Sequence, residues 1–433
     1  MAYEQAVEFL VGLRSTGAKF GLENTLRLCA LAGHPERRLR FIHVAGTNGK
    51  GSTCAMLEAA YRMHGLRVGL FTSPHLISFT ERIQINRHPI SPDDVIQWTD
   101  RVRGWIKEGF HADHLPTFFE AVTVLALGYF AEQNCDLVIW ETGLGGRLDS
   151  TNVVTPLLSV ITNVQWDHQQ WLGDSLEAIA SEKAGIIKPG VPVVTATAHP
   201  GALRVIEETA RRRRSPLTRI DPARVQDWIP EGTSLALGGA HQRLNAALVR
   251  VVVETLSALF PVSSTTLWSA LASVRWDGRF QSFNRPDGGL LVVDSAHNPD
   301  GCLTLLQALE EFQPGRTCCF IFGVLTDKNF EDILRMLSSR AHRILLPPVQ
   351  TPRAVEPVQL QSLLSRIAPA VKVETATNFE SALKAADGEA LVVVAGSMYL
   401  VGEALQTLLA DRVAAKGGGE RLLNDWSLVP PRN

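Results

Sequence analysis

The chain reads as an α/β protein built in two domains, and three observations predict it. Its 433 residues exceed what one hydrophobic core usually organises. Short β-branched runs alternate with helical stretches from residue 41 onward. A Pro- and Gly-rich interruption, "NRPDGG" at 284–289, is followed by a second series of the same kind.

Taken in order, "MAYEQAVEFLVGLRS" predicts an amphipathic helix, because Glu4, Glu8 and Arg14 interrupt any apolar signal region. The runs at 41–46, 68–73, 136–143, 157–163 and 191–197 are apolar throughout, which predicts strands buried on both faces, hence a mainly parallel sheet under helices. "ERIQIN", where Arg82, Gln84 and Asn86 alternate with Ile83 and Ile85, precedes "RHPIS" and predicts a small antiparallel hairpin at the sheet edge. The second series runs 290–296, 317–325, 342–349, 371–376 and 390–397. The expected organisation is a domain over 1–284, a smaller α/β domain over 285–416 with a cleft between them, and a tail over 417–433. A Gly run and Pro-Pro mark that tail as a flexible appendage.

Composition narrows the function. With 45% hydrophobic residues, 20% charged residues and a net charge of −2, no global positive excess points to nucleic acid. No apolar run reaches the ~18 residues of a membrane span, so a cytoplasmic protein is expected. "RRRR" at 211–214 reads as a solvated helix face. Six cysteines, at 29, 54, 135, 302, 318 and 319, form no C-x-x-C pair and read as buried reduced thiols.

The first chemical signal is "FIHVAGTNGKGST". The common phosphate-loop pattern G-x-x-x-x-G-K-[ST] fails twice, at Val44 and at Gly51. Every physical requirement is nevertheless met. An apolar strand leads into Gly46, Gly49 and Gly51, Lys50 supplies charge, and Ser52 and Thr53 supply hydroxyls one place late. "TCAMLEAAYRMHG" then continues as a helix whose N-terminus can hold phosphate. "DLVIWETG" puts Glu141 at a strand end, where a half-buried acid calls for a cation. The following "GLGG" is a weak dinucleotide signal, since no helix follows directly. "ITNVQWDHQQWLG" ends a strand with Asp167 and His168, and "IASEKAGIIKPG" sets Lys183 on a helix beside Glu182; together they raise a second metal site as an expectation.

At this point the motifs match a family. "FGLENT", "VAGTNGKGST", "TSPHL", "TFFE", "ETGLGGRLDSTN", "TNVQWDHQQWLG", "SEKAGIIKPG", "HQRLNA", "WDGRFQ", "VDSAHNPDG", "DKNF", "TPRA" and "AGSMYLVGE" span residues 20–403. In that order they resemble the folylpolyglutamate synthase and dihydrofolate synthase family of the Mur ligase superfamily. The resemblance implies a P-loop ATPase-type domain and a Rossmann-like C-terminal domain. It implies ATP contacts at Gly46, Asn48, Gly49, Lys50, Gly51, Ser52, Asn245, Arg279 and Asp294. Two Mg²⁺ sites would use Ser73, Glu141, His168 and Lys183, the lysine being carbamylated and so carboxylate-like. The pterin would touch Gly21, Leu22, Glu23, Thr117, Phe118, Phe119, Glu120, Leu148, Asp149 and Ser150. His297 and Ser397 would take the incoming glutamate, with Lys50, Lys183 and His297 as the catalytic set. The chain departs from the family at Ser295, where glycine is frequent, and at Asn329, where aspartate is common.

The implied chemistry is ATP-dependent amide formation. ATP converts a carboxylate to an acyl phosphate, and the amino group of L-glutamate displaces the phosphate. The expected partners are ATP, L-glutamate, dihydropteroate and reduced folates, with no nucleic acid or membrane, and the expected state is a monomer. A peptidoglycan Mur ligase would carry a UDP-binding domain ahead of the loop, whereas only about 45 residues precede Gly46. A nucleotide-dependent switch or transport ATPase would need a partner surface and no amino acid site.

Overall fold

The computed structural model describes residues 2–13, 21–111 and 114–409. Its first sheet comprises β1 (Phe41–Ala45), β2 (Val68–Phe71), β3 (Ile83–Ile85), β4 (His88–Pro89), β5 (Leu137–Glu141), β6 (Leu158–Ile161), β7 (Val193–Thr195) and β8 (Leu217–Arg219). They lie in the order β4-β3-β2-β5-β1-β6-β7-β8. Strands β2, β5, β1, β6, β7 and β8 run parallel, and β3 and β4 close one edge antiparallel, as the alternating "ERIQIN" pattern predicts.

Alternation along the strands splits their side chains between two cores. Ile42, Val44, Ile139 and Val160 pack under helices Lys50–Met63 and Ala240–Thr255, while Phe41, Val138 and Trp140 face helices Tyr3–Gly12 and Phe118–Glu132. Covering both faces is what makes these strands apolar from end to end. Trp140 anchors the second core, stacked on Phe71 at 4.4 Å between ring centroids and edge-on to Phe41 at 5.6 Å. The edge hairpin is less exposed than its polar residues suggest. Arg82 and Gln84 are buried, Arg82 Nε donating to His75 Nδ1 at 2.8 Å and Gln84 Nε2 to the Glu81 carbonyl at 2.8 Å.

The second sheet comprises β9 (Gln281–Asn284), β10 (Leu290–Val293), β11 (Cys318–Phe322), β12 (Ala341–Leu346), β13 (Lys372–Thr375) and β14 (Leu391–Ala395), in the order β13-β12-β11-β14-β10-β9. All pairs are parallel except β9 with β10. The boundary expected at residue 284 shifts for a physical reason: the Pro and Gly residues of 284–289 form the turn of the β9–β10 hairpin. Arg285 N donates to the Gly289 carbonyl at 2.9 Å, and Gly288 takes a φ of 83°. Glycine and proline punctuate a tight turn as readily as a linker. The crossing between the sheets therefore lies between helix Ser264–Ser273 and Gln281. Strands β8 and β9, polar and partly exposed at sheet edges, escaped the apolar-run criterion.

The expected tail at 417–433 lies outside the described residues. The six cysteines are free and buried. Among the described residues no helix is long and apolar enough to cross a membrane. Replacing the fully buried Trp140 by alanine is expected to destabilise the first domain by about 3–5 kcal/mol, read as a lower denaturant midpoint.

Candidate functional site

Parallel pairing brings strand ends together. Val44 lies beside Glu141 and Ala45 beside Ile161, so the loops after β1, β5 and β6 open at one carboxyl edge, where ligands bind in open α/β sheets. The loop after β1 is held before any ligand arrives. Asn48 N donates to Asn163 Oδ1 at 2.9 Å, Thr162 Oγ1 to the Asn48 carbonyl at 2.7 Å, and Thr47 Oγ1 to the Gln165 carbonyl at 3.2 Å. Gly49 begins the helix with a φ of 82°, and a side chain there would meet Asn245 Oδ1 at 2.7 Å. Left-handed geometry and close approach both require glycine. Ser52 is buried and accepts from Gln242 Nε2 at 3.2 Å, and Gln242 in turn accepts from Asn245 Nδ2 at 3.0 Å. Asn245 is thus tied to the loop by both geometry and hydrogen bonding.

Charge is concentrated at this edge. Lys50 Nζ donates to the carbonyls of Gly46 and Thr47 at 3.0 and 3.1 Å, and Lys183 Nζ reaches the same Gly46 carbonyl at 2.9 Å. Lys183 is only 3% exposed; burial, reinforced by the Lys50 charge, lowers it to about 7, so much of it is a neutral amine at neutral pH. Glu141, equally buried, is pushed up to about 7 by desolvation. Lys50 and the Ser73 N–H, which donates to Oε2 at 3.0 Å, offset that only in part. Ser73 and Glu141 therefore meet, whereas His168 turns toward Asp167 and the second domain.

Asp167 is the centre of the junction between the sheets. Its Oδ1 accepts from Lys328 Nζ at 2.8 Å and its Oδ2 from Asn298 Nδ2 at 3.2 Å. The imidazoles of His168 and His297 stand 3.8 and 3.9 Å from it. Burial alone would raise its pKa, but Lys328 and these neighbours hold the carboxyl far below the usual range. Burial and the Lys328 charge lower both histidines to about 4, so both are neutral at pH 7. His297 Nδ1 lies 2.7 Å from the Ser295 carbonyl and must donate to it, leaving Nε2 as a lone pair. Asn298 also pairs reciprocally with Asn48 of the loop, at 3.1 and 3.3 Å.

The remaining candidates fall around this core. Asp294 accepts from the N–H groups of Phe280 and Ala296 at 2.8 and 2.9 Å, and Arg279 lies within electrostatic reach of Glu141 and His297. Ser397, buried, caps helix Met398–Leu408, and Gly396 N binds the Ala296 carbonyl next to His297. The three candidate pterin stretches are linked. Asn24 Nδ2, beside Gly21, Leu22 and Glu23, donates to Glu120 Oε2 at 3.4 Å, and Glu120 closes a capping box with Thr117 at the helix that begins at Phe118. Phe119 and Asp149 flank Gly143, and Asp149 lies in the field of Lys183. Leu148 is half-buried beside the buried Ser150. Asn298, Lys328, Gln165 and Gln242 carry no role in the sequence reading, and Asp167 enters it only beside His168 at a second metal site. Each sits inside a motif already recognised, but only the fold shows what it touches.

Comparison with known proteins finds similarity over most of the chain. Residues 44–212 match the Mur ligase middle domain and residues 278–398 the Mur ligase glutamate ligase domain. The dihydrofolate synthase/folylpolyglutamate synthase of Bacillus subtilis is 38% identical over 374 residues, covering 82% of this chain and 86% of that protein. The crystal structure of folylpolyglutamate synthase from Thermotoga maritima superposes with a TM-score of 0.80 at 32% identity, over 94% of this chain and 97% of that one. E. coli FolC, in complex with DHPP and ADP, superposes with a TM-score of 0.81 at 27% identity, over 94% and 98%.

Asp167→Ala strands the buried ammonium of Lys328, and losing one partner of a buried pair costs about 3–5 kcal/mol. The variant is expected to unfold at lower denaturant and to be cleaved faster between the domains by a low dose of protease; unchanged midpoint and cleavage would remove Asp167 as the junction.

Proposed function

The chain belongs to the folylpolyglutamate synthase and dihydrofolate synthase family of the Mur ligases and is an ATP-dependent glutamate ligase; on that premise we propose how its own residues divide the reaction. The observation that carries the reading is the shared Gly46 carbonyl. It brings Lys50, the phosphate-loop cation, and Lys183, a lysine poised near neutrality, to one point beside the buried Glu141.

ATP rests its phosphates on the N–H groups of residues 48–52 at the helix start, with Lys50 turning from the loop carbonyls to the phosphate oxygens. Gly46, Asn48, Gly49, Gly51 and Ser52 shape that cradle, and Asn245, Arg279 and Asp294 complete the nucleotide contacts. The relative in complex with ADP supports nucleotide binding here.

The residues fit Mg²⁺. A buried carboxylate pushed to about 7 lacks a compensating charge that a divalent cation would provide, and neutral His168 has a lone pair to offer. Among the described residues no group of three His, Cys, Asp or Glu side chains is arranged to hold a metal ion by itself. That is compatible with Mg²⁺, which keeps waters and phosphate oxygens as ligands. Ser73 and Glu141 would hold one ion; His168 and a carbamylated Lys183 would hold the other. When bound, Mg²⁺ neutralises charge on the phosphates. Lys183 fits the carbamate because its amine is largely unprotonated, and a carbamate retains one N–H for the Gly46 carbonyl.

The acceptor is dihydropteroate or a reduced folate, bound at Gly21, Leu22, Glu23, Thr117, Phe118, Phe119, Glu120, Leu148, Asp149 and Ser150; the relative bound to DHPP supports that choice. Its carboxylate attacks the γ-phosphorus, with Lys50 and Arg279 countering the charge, to form an acyl phosphate and ADP. Glutamate, held by His297 and Ser397, then attacks through its amine, and phosphate leaves as the amide forms. With an acidity constant near 4, His297 is too weak a base to keep the amine proton. Its Nε2 lone pair orients the amine instead. Joining the domains at Asp167 keeps water from the acyl phosphate. A monomer in a cytoplasmic setting is part of the same reading.

Purified protein given ATP, L-glutamate and either dihydropteroate or tetrahydrofolate should yield product heavier by one glutamyl residue. ATP turnover indifferent to both glutamate and acceptor would sink this reading. Lys183→Ala should lose activity by at least about a hundredfold, and short carboxylic acids should partly restore it. Full activity in the plain variant would rule the carbamate out.

A further inference from the structure

The crossing segment between Ser273 and Gln281 carries Arg279; Gly278 and Phe280 are tied to Ser295 and Asp294 of the second domain, and a side chain from the β3–β4 edge of the first sheet holds the near end. Arg87 sits in the turn joining β3 and β4, where Asn86 and Arg87 both adopt left-handed backbone, with φ of 50° and 66°. Its Nη2 donates to the Arg275 carbonyl at 2.9 Å, and its guanidinium lies over the Trp276 ring, 5.0 Å from the centroid. Trp276 in turn lies on the phosphate loop. Its Nε1 is 3.0 Å from where a side chain on Gly51 would begin, so Gly51 leaves room for the indole.

A second observation points the same way. Glu58, on the phosphate-loop helix and wholly buried, pairs through Oε1 with Arg62 at 2.8 Å, while its Oε2 has no partner; Arg87 Nη1 is likewise buried without one. A carboxylate oxygen and a guanidinium N–H of opposite charge, each within the other's field, thus flank the crossing segment. Asp277 and Glu81 add negative charge around the same guanidinium. A planar cation that donates, stacks and attracts from one place fixes direction as well as distance.

We propose that Arg87 is a positioning residue for the ligase reaction: by fixing Arg275 and Trp276 against Gly51, it sets where Arg279 meets the nucleotide. Arg87 touches neither nucleotide nor acceptor in this role and acts through Arg279. The inference rests on the assignment of Arg279 to the nucleotide phosphates.

The test compares Arg87→Ala, Arg87→Lys, Arg279→Ala and the double variant Arg87→Ala/Arg279→Ala for kcat, KM for ATP and for glutamate, and thermal midpoint. Arg87→Ala should lower kcat about tenfold with little change in KM for glutamate. Arg87→Lys, which keeps the charge but not the stacked fork, should recover only part of that. The double variant should be no slower than Arg279→Ala alone, because a residue acting only through Arg279 has nothing left to position. If Arg279→Ala keeps wild-type turnover, the assignment of Arg279 fails and the positioning role with it. If Arg279→Ala is impaired but the two losses multiply, that assignment stands and the positioning role is overturned. Should Arg87→Ala fail to fold, Arg87→Lys in the presence and absence of Arg279 gives the same comparison. Wild-type kcat in a folded Arg87→Ala overturns the proposal outright.

Discussion

Two ammonium groups share the carbonyl oxygen of Gly46, and much of the site follows from that contact. Lys50 lies four residues along the same loop, while Lys183 arrives from a helix 137 residues away, so the oxygen ties the phosphate loop to the far side of the sheet. Burial penalises the Lys183 ammonium and the like charge of Lys50 adds to that penalty, which is why Lys183 sits near neutrality. Glu141 is the opposite case beside them, an acid raised to about 7 for want of a closer cation. The side chains by themselves are therefore electrostatically incomplete, in a way that the proposed phosphate, divalent cation and carbamate would complete together.

Such an arrangement needs the second sheet. Asp167, at the end of the loop after β6, collects Lys328 and Asn298 from the second domain and draws His297 within 4 Å. Asn298 also caps its own helix and pairs with Asn48 of the phosphate loop. One carboxylate and one amide thus transmit the position of the nucleotide loop to the residues assigned to glutamate. Burial and the Lys328 charge keep His168 and His297 neutral against the pull of Asp167, and a neutral imidazole can ligate or accept where an imidazolium could not.

Much of this was legible in the sequence where the physics is local. Apolar runs marked the inner strands because strands covered on both faces carry no polar alternation, and "ERIQIN" marked the edge hairpin because its alternation is the exception. The phosphate loop could be recognised despite its shifted pattern, since glycines, lysine and hydroxyl act through backbone geometry within a dozen residues. The method failed where the same signal serves two purposes. "NRPDGG" has the composition of a linker and is a hairpin turn. Strands β8 and β9 are too short and polar to announce themselves. Arg82 and Gln84, polar positions of that alternation, are buried, because each finds a partner a few residues away.

By itself, then, the sequence determined the α/β class, the phosphate loop, the acid and lysine beside it, and the family. Each is written in spacing along the chain, or in residue types whose chemistry is independent of neighbours. Tertiary structure alone decided which groups meet. That Lys183 shares an oxygen with Lys50, that Asp167 holds Lys328, and that Arg87 lies on Trp276 are contacts across about 130 to 190 residues. So are the charge states of Glu141, Lys183 and the two histidines. Burial and the nearest opposite charge set them, and both are properties of the folded neighbourhood that no stretch of chain carries alone.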